Sequence, residues 1–464
     1  MRGLLASSVG VTCAAALALP LALPTGAGAA TASPAPGTRA AAAVPGLGAA
    51  EAVPGSTQSL RLSALPHDRA LRAPGEQGLT RREVRPFSLV GVVWDDPSAA
   101  LEGRVQVRTR ATRGAGWSDW QDVETHNDEH APDLGTAEHD SGRLRGATAP
   151  LWVGASDGVE VRVRPESTGV RRAGNSEASA QAPLPKGMRL ELVDPGVEPP
   201  PGGAQADASR GAAAKAAESA AASAVNADLA PQGATTIPAL SKKETEAELL
   251  VARGGEADAK VRPYIGARPG IVTRKGWGAD ESIRERDFVY TSKVKAAFVH
   301  HSATGNNYTC AQAPSVIRGI YRYHVKSMGW RDIGYNFLVD KCGTIYEGRA
   351  GGVAKPVMGA HTLGFNTNSM GIAVLGTFAS TAPPAAAVKG IADLTAWKLG
   401  LYGVNPSGKT YLTSAGGNLY RKGTNVRLNV ISGHRDGFAT ECPGRLLYDK
   451  LGTARTTSAR LQGR

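Results

Sequence analysis

Two stretches of biased composition limit which parts of this 464-residue chain can fold. Residues 30–56 and residues 196–261 are rich in Ala, Pro and Gly, and neither offers a continuous apolar stripe to bury. Such segments bury too little apolar surface to offset the entropy of ordering, so we expect the first to be disordered and the second to be a disordered or transiently helical linker. The sequence therefore predicts two folded units, over residues 57–195 and residues 262–464.

The first 29 residues have the pattern of a secretory signal peptide. Arg2 precedes an apolar stretch from residue 4 to about residue 23, and small residues end at Ala29, after which we expect cleavage. An uncleaved membrane anchor is the alternative, but Pro20 and Pro24 suit a signal better than a span of about 20 strongly apolar residues. We therefore expect a secreted protein with no transmembrane anchor after cleavage.

The first folded unit shows the period of two that half-buried strands require. The segments RVQVRTR (104–110), VEVRVR (159–164) and MRLELV (188–193) alternate apolar and polar residues. We predict an all-β domain of sandwich type over residues 57–195. The domain has four tryptophans, which are Trp94, Trp117, Trp120 and Trp152. They could form a sugar-binding platform, or they could pack in the core as buried tryptophans commonly do.

The second unit mixes strand and helix patterns. VKAAFVHH (294–301) and MGIAVLGTF (370–378) are apolar enough for buried strands, and IGYNFLVDKCGTIYEGR (333–349) reads as two strands joined by a turn. APSVIRGIYRYHVKSM (313–328) and AAAVKGIADLTAWKLGLYG (385–403) have the spacing of helices. We predict an α/β domain in which helices cover a mixed β-sheet.

Charge is distributed unevenly between the two halves. Residues 1–261 hold 26 Lys and Arg against 30 Asp and Glu, a net −4, whereas residues 262–464 hold 27 against 11, a net +16. A basic domain favours an anionic partner, and export favours a membrane surface or an acidic wall polymer over nucleic acid. The sequence also has no helix-turn-helix, zinc-finger or RRM pattern, so we expect no nucleic-acid partner. General solubility charge is the alternative.

The cysteines leave one thiol without a disulfide partner. Of the four, Cys13 lies in the predicted signal, so three remain in an oxidising compartment. If Cys442 binds a metal ion, Cys310 and Cys342 remain to form a disulfide.

Histidines close to Cys442 predict a metal centre. His434 precedes Cys442 by eight residues in NVISGHRDGFATECPG (429–444), a predicted loop, and His300 or His301 would add a ligand from a strand end. A His/His/Cys set leaves the fourth tetrahedral position of zinc open for water, as in catalytic sites. The alternative is a buried structural cysteine with two surface histidines.

Five segments carry a family resemblance over about residues 262–450. They are TRKGWGA (273–279), FVHHSAT (298–304), YHVKSMGWRDIGYNFLVDKCGTIYEGR (323–349), GAHTLGFNTNSMGIAVLG (359–376) and GHRDGFATECPG (433–444). Together and in this order they resemble the peptidoglycan recognition proteins and the related zinc N-acetylmuramoyl-L-alanine amidases.

The resemblance implies a set of site residues. The first histidine of the pair, His300, would bind Zn²⁺ with His434 and Cys442, and Tyr335 of the "GYNF" motif and Thr440 would complete the catalytic set. Members that lack the cysteine are receptors without activity, so its presence implies an enzyme that cleaves the amide between muramic acid and the stem peptide. A protein that recognises peptidoglycan without turnover is the alternative.

Further positions of the resemblance suggest a groove for peptidoglycan. We expect His361, Arg349, Asn366 and Asn368 to contact substrate, although a structural hydrogen bond is the alternative for His361. Ala350-Gly351 replaces the Gly-Trp that follows the "EGR" motif in animal relatives that read diaminopimelate, so the stem-peptide preference stays open. Other anionic wall polymers are further expected partners.

Overall fold

The computed structural model describes residues 55–65, 75–114, 116–168, 180–196, 210–252 and 263–464. The predicted signal peptide, and all but the last two residues of the segment predicted to be disordered, lie outside these ranges. All described residues belong to one unit of mutually contacting structure.

An antiparallel sheet forms the N-terminal domain. Its eight described strands follow the order β1-β10-β3-β7-β4-β5, and the short strands β2 and β6 also pair with β3. A separate pair is formed by β8 and β9. The bounds are β1 (Ser56–Arg61), β2 (Ser63–Ala64), β3 (Gln77–Trp94), β4 (Gly103–Ala111), β5 (Gln121–Val123), β6 (Gly146–Ala147), β7 (Leu151–Pro165), β8 (Ser167–Thr168), β9 (Ala180–Gln181) and β10 (Arg189–Asp194).

The prediction of an all-β domain is confirmed, and its apolar positions form the core. Val105 and Val161, which the alternation placed on one face, are buried. The strands are hydrogen-bonded in one sheet rather than in the two that a sandwich would have. The pairing of β3 with β7 contains register shifts, and such bulges bend and twist long strands, so that one sheet can enclose a core.

The four tryptophans do not form one sugar-binding platform. Trp94 and Trp152 are buried in the core. Trp117 and Trp120 stack instead against arginine side chains, with the guanidinium of Arg162 4.0 Å from the Trp120 ring. Core packing and cation–π stacking therefore account for the tryptophans.

A mixed sheet forms the centre of the C-terminal domain, as predicted. Its seven described strands follow the order β11-β12-β15-β14-β16-β13-β19, and β13 runs parallel to both of its neighbours. The pair β17 and β18 stands apart. The bounds are β11 (Thr236–Ile237), β12 (Ile271–Val272), β13 (Ala296–His301), β14 (Phe337–Val339), β15 (Ile345–Glu347), β16 (Ser369–Val374), β17 (Lys409–Thr413), β18 (Asn425–Asn429) and β19 (Ile431–Gly433).

Helices cover this sheet. α4 and α6 pack against each other and against the sheet, whereas α3, extended by a π-helical turn (Tyr323–Ser327), contacts β3 and β10 of the N-terminal domain. Within the described ranges, no helix is both long and apolar enough to cross a bilayer. The bounds are α1 (Arg210–Ala224), α2 (Lys242–Ala252), α3 (Ala313–Arg322), α4 (Ala385–Leu401), α5 (Arg445–Tyr448) and α6 (Leu451–Gln462).

The linker prediction for residues 196–261 is wrong over residues 210–252. These residues form α1, β11 and α2, and Ile237 and Leu249 are buried in the C-terminal core. Asn226 explains part of the ordering, because its Nδ2 donates to Glu347 Oε1 over 2.9 Å and its Oδ1 accepts from a backbone N–H. Apolar and polar contacts with the rest of the C-terminal domain therefore order a segment whose own sequence shows no apolar stripe.

The two domains share a buried core. Leu89 and Trp152 of the first domain pack in one cluster with Val316 and Ile320 of the second. The Tyr323 hydroxyl donates to the Thr148 carbonyl over 3.1 Å. This contact fixes the N-terminal domain against the helix that precedes the candidate site.

Candidate metal centre and groove

Three predicted metal ligands meet at one edge of the C-terminal sheet. His300 lies at the carboxyl end of β13, and His434 directly follows β19, the parallel neighbour. Carboxyl ends of adjacent parallel strands lie at the same edge, so the two imidazoles face each other with ring centroids 4.5 Å apart. The loop that follows returns Cys442, whose Sγ lies 3.8 Å from His300 Nδ1.

A fourth side chain joins these three from the N-terminal domain. His130 Nε2 lies 3.8 Å from Cys442 Sγ, and the His130 ring centroid is 4.6 Å from that of His434. The potential ligand atoms of all four residues lie within 4.8 Å of one another. The exposed fraction of His130 is 6%, and the other three are still more buried. The sequence offered one signal for His130, because a connection longer than about 15 residues between strands is commonly functional.

The four side chains fit a zinc ion. Tetrahedral zinc with ordinary Zn–S and Zn–N bonds places sulfur and nitrogen about 3.6 Å apart, close to the observed 3.8 Å. Among the described residues, both ring nitrogens of His434 have no hydrogen-bond partner although they are buried. Buried polar atoms are rarely left unpaired, and imidazole with thiolate is a donor set that suits zinc.

His300 is oriented from behind by a second set of polar groups. Its Nε2 lies 3.3 Å from His361 Nδ1 and 3.5 Å from Thr362 Oγ1, which leaves Nδ1 directed at the centre. His361 Nε2 in turn lies 3.3 Å from Ser369 Oγ. His361 is fully buried, so it contacts a candidate ligand rather than the groove where we expected it to meet substrate.

Burial keeps the three imidazoles neutral. Desolvation holds the pKa values of His300 and His434 well below their usual range and lowers the pKa of His130 to about 3. Neutral imidazole is the form that binds a metal. Burial also raises the pKa of the Cys442 thiol, and a bound cation would reverse this effect by stabilising the thiolate.

Both predicted catalytic side chains lie beside the cluster. The Tyr335 ring centroid is 5.5 Å from that of His300, and burial raises the pKa of its hydroxyl. Thr440 Oγ1 accepts from the Cys442 N–H over 3.0 Å and donates to Glu129 Oε1 over 2.7 Å. Glu129 is a second residue that the motifs did not identify, and burial raises its carboxyl pKa to about 7.

A cleft of about 730 Å³ adjoins the cluster. Both domains line it. The C-terminal domain contributes Tyr335, Thr440 and Cys442, and the N-terminal domain contributes residues 124 and 126–130.

Two of the predicted substrate-binding residues, Arg349 and Asn366, donate hydrogen bonds to carboxylates of the N-terminal domain. Glu138 accepts two hydrogen bonds from the Arg349 guanidinium, over 2.8 and 3.0 Å. Asn366 Nδ2 donates to Asp133 Oδ1 over 2.7 Å. Both pairs are buried.

Asn368 does not belong to this site. It precedes β16, so it lies at the amino end of that strand, whereas His300 pairs with Ala373 near the carboxyl end. Its Oδ1 accepts from Ser292 Oγ over 2.9 Å. The prediction of a substrate contact fails because proximity in sequence to Asn366 does not place the two at the same edge of the sheet.

Cys310 and Cys342 form the disulfide that the cysteine count suggested. Their Cα atoms are 6.2 Å apart. Among the described residues, Cys442 is the free cysteine, so its thiol is available as a ligand.

Comparisons with known proteins match the N-terminal and C-terminal parts of the chain to two different families. Residues 290–445 match the family described as N-acetylmuramoyl-L-alanine amidase. Residues 43–186 match the family described as Rv3811 N-terminal galactose-binding domain-like. His300, His434 and Cys442 thus lie inside the amidase match, whereas His130 lies inside the other.

Individual relatives show the same similarity. Peptidoglycan-recognition protein SC2 of Drosophila simulans is 31% identical over 186 residues, which are 39% of this chain and 85% of that protein. N-acetylmuramoyl-L-alanine amidase of Homo sapiens is 31% identical over 189 residues, which are 40% of this chain and 28% of that protein. A crystal structure of peptidoglycan recognition protein-LE in complex with tracheal cytotoxin is 33% identical, covers 39% of this chain and 92% of its own, and has a TM-score of 0.30.

Proposed function

The chain belongs to the family of peptidoglycan recognition proteins and N-acetylmuramoyl-L-alanine amidases, and from this premise we propose that it is an exported zinc hydrolase of peptidoglycan. The bond cleaved is the amide between N-acetylmuramic acid and L-alanine. One observation carries the proposal: His300, His434 and Cys442 converge in a buried cluster beside a cleft.

The residues of the site have separate chemical roles in this proposal. His300, His434 and Cys442 would hold zinc, which supplies a Lewis acid and lowers the pKa of water. The buried Tyr335 hydroxyl stays protonated at neutral pH because its pKa is raised, so it can donate a hydrogen bond to the developing oxyanion. Thr440 positions the Cys442 backbone and offers a second hydroxyl at the same place.

Recognition without turnover is the second candidate, and the fourth side chain favours it. A zinc ion with four protein ligands is typical of structural sites, whereas catalytic zinc keeps an open position. With His130 in place the cluster has four potential ligands. The test must therefore include protein from which this imidazole has been removed.

The experiment compares the zinc-loaded wild type with a His130→Ala variant on purified peptidoglycan. We expect the variant to release stem peptides with a free L-alanine amino group, detected by mass spectrometry, and a zinc chelator to abolish the release. Adding Cys442→Ser to the variant is the matched control. If the wild type and the His130→Ala variant both bind peptidoglycan but neither releases stem peptides, the hydrolase is contradicted and recognition is supported.

Export and wall association belong to the same proposal. The predicted signal peptide and the net +16 of residues 262–464 support it. Expression of the full chain, followed by amino-terminal sequencing of the secreted product, tests cleavage after Ala29. A product that keeps its first residues contradicts the signal peptide.

A further inference from the structure

We propose that residues 124–142 of the N-terminal domain, here called the plug, fill the active-site groove of the same chain and supply His130 as a fourth metal ligand. The folded protein is then latent until the plug leaves the groove. The inference rests on the proposed function, because latency has meaning only for an enzyme.

The first observation is the position of His130. Its Nε2 lies 3.8 Å from Cys442 Sγ, and its ring centroid lies 4.6 Å from that of His434 and 5.2 Å from that of His300. If His300, His434 and Cys442 hold zinc, His130 Nε2 is close enough to be its fourth ligand. A fourth nitrogen there leaves tetrahedral zinc no position for water or for a substrate carbonyl.

The second observation is that plug carboxylates occupy the polar groups of the groove. Glu129 accepts from Thr440 over 2.7 Å. Asp133 Oδ1 accepts over 2.7 Å from the backbone of Gly364 and also from Asn366.

Glu138 makes the strongest of these contacts. It pairs with both terminal nitrogens of Arg349, a bidentate geometry that fixes orientation as well as energy. These contacts use Arg349 and Asn366, two of the side chains on which substrate binding was expected. Substrate and plug therefore compete for one groove.

The plug has the character of a removable segment. Apart from a short 3₁₀ turn (His139–Ser141) it has no regular secondary structure, and its one large aliphatic side chain, Leu134, is 44% exposed. Polar contacts rather than apolar burial hold it. A ligand that offers carboxylates to Arg349 and a donor to the metal can replace those contacts, so the displacing partner is an acidic peptide such as the stem peptide of peptidoglycan.

Cobalt substitution tests the closed site without relying on activity. The visible spectrum of Co²⁺ reports its ligands, and azide adds to cobalt where a coordination position is open. We expect azide to leave the spectrum of the Co²⁺-loaded wild type unchanged and to change that of His130→Ala saturably. His139→Ala removes a histidine of the same plug that does not line the cleft and whose ring contacts Asp140, so it should behave as the wild type.

Hydrolysis gives the second readout. If the open state of the wild type is populated below about 10%, removing His130 raises amidase activity at least roughly tenfold. Glu138→Gln weakens the contact with Arg349 without touching the metal and should raise azide access and activity in part. Asp140→Asn, at an exposed neighbour, is its control and should change neither.

The outcomes separate this inference from the proposed function. A closed wild type, an open His130→Ala variant and no hydrolysis by that variant would support the plug as the occupant of the groove but contradict the amidase, and with it the latency. Saturable azide binding by the wild type overturns the plug and leaves the amidase untouched. Since the wild-type titration needs no variant, it decides the question even if His130→Ala fails to fold.

Discussion

Cys442 is the residue whose chemistry depends most on its surroundings. Burial raises the pKa of its thiol, so a thiolate forms there only with a cation to stabilise it. We predict that Cys442→Ser lowers zinc affinity more than about 100-fold, since losing an outer hydrogen-bonding partner already lowers metal affinity 10–100-fold.

Competition with a chromophoric chelator measures this affinity, and elemental analysis gives the zinc content. Circular dichroism controls for folding, because the serine hydroxyl is slightly smaller than the thiol it replaces and should cause no steric clash. Retained zinc together with full hydrolysis on the His130→Ala background would show that Cys442 is not a ligand.

His126 should titrate above the usual range of a histidine. His126 Nδ1 lies 3.3 Å from Glu124 Oε1, and this contact raises the pKa of His126 to about 8 and lowers that of Glu124. A histidine whose folded-state pKa is raised stabilises the fold fully below its unfolded pKa of about 6.5. That contribution is lost as the pH rises through 8, so the start of the plug loosens on the alkaline side.

NMR of the histidine protons between about pH 5 and pH 9 measures the titration midpoint of His126. This range includes the ordinary histidine pKa of about 6.5. We expect the midpoint near 8 in the wild type and shifted towards 6.5 in Glu124→Gln. Asp96→Asn removes an exposed carboxylate elsewhere in the same domain and should leave the midpoint in place. An unshifted wild-type midpoint contradicts the pairing.

At the scale of elements, the Cys310–Cys342 disulfide joins the turn before α3 to the turn between β14 and β15. The two cysteines are 32 residues apart in sequence. Closing a loop of that length stabilises the fold by about 3–4 kcal/mol, mainly by restricting the unfolded chain. The double variant Cys310→Ser/Cys342→Ser should lose about this free energy of unfolding.

Urea unfolding of the oxidised wild type and the double variant measures the difference. Reductant should lower the stability of the wild type to that of the double variant and leave the double variant unchanged. Equal stabilities without reductant would mean that the bond does not form in solution.

Helices and strands were predictable from sequence where their own apolar residues recur at helical or strand spacing. β13 is a continuous apolar run, and α3 and α4 have apolar residues at helical spacing, so their type and place followed from the residues alone. The stable order of α1 was not predictable, because its sequence is mostly alanine and its Glu218 pairs with Arg284 and Arg286 of the C-terminal domain.

The candidate site divides in the same way. His300, His434 and Cys442 lie in recognisable motifs, and parallel strands explain why they meet. His130 and Glu129 reach the site only through docking of a second domain, and apart from the length of the connection that carries them no local pattern indicates that contact. Tertiary contacts between distant segments are the part that a single sequence conceals.

The plug stays in the groove because the two domains are docked through a shared core. Gly91 lies at a close approach between the domains, since a Cβ built on it would overlap the ring and hydroxyl of the fully buried Tyr323. We predict that Gly91→Ala costs about 1–3 kcal/mol by overpacking this contact. It should also weaken the hydrogen bond from Tyr323 to Thr148.

Loosening the docked domain should release the plug from a distance, although Gly91 does not touch the metal cluster. In the Co²⁺-loaded protein, Gly91→Ala should therefore let azide bind and lower the thermal midpoint together. Gly116→Ala is the matched control, because a Cβ there meets no atom within 4 Å. If Gly91→Ala destabilises the protein but leaves the cobalt spectrum indifferent to azide, the plug is held by its own contacts and not by the docking of its domain.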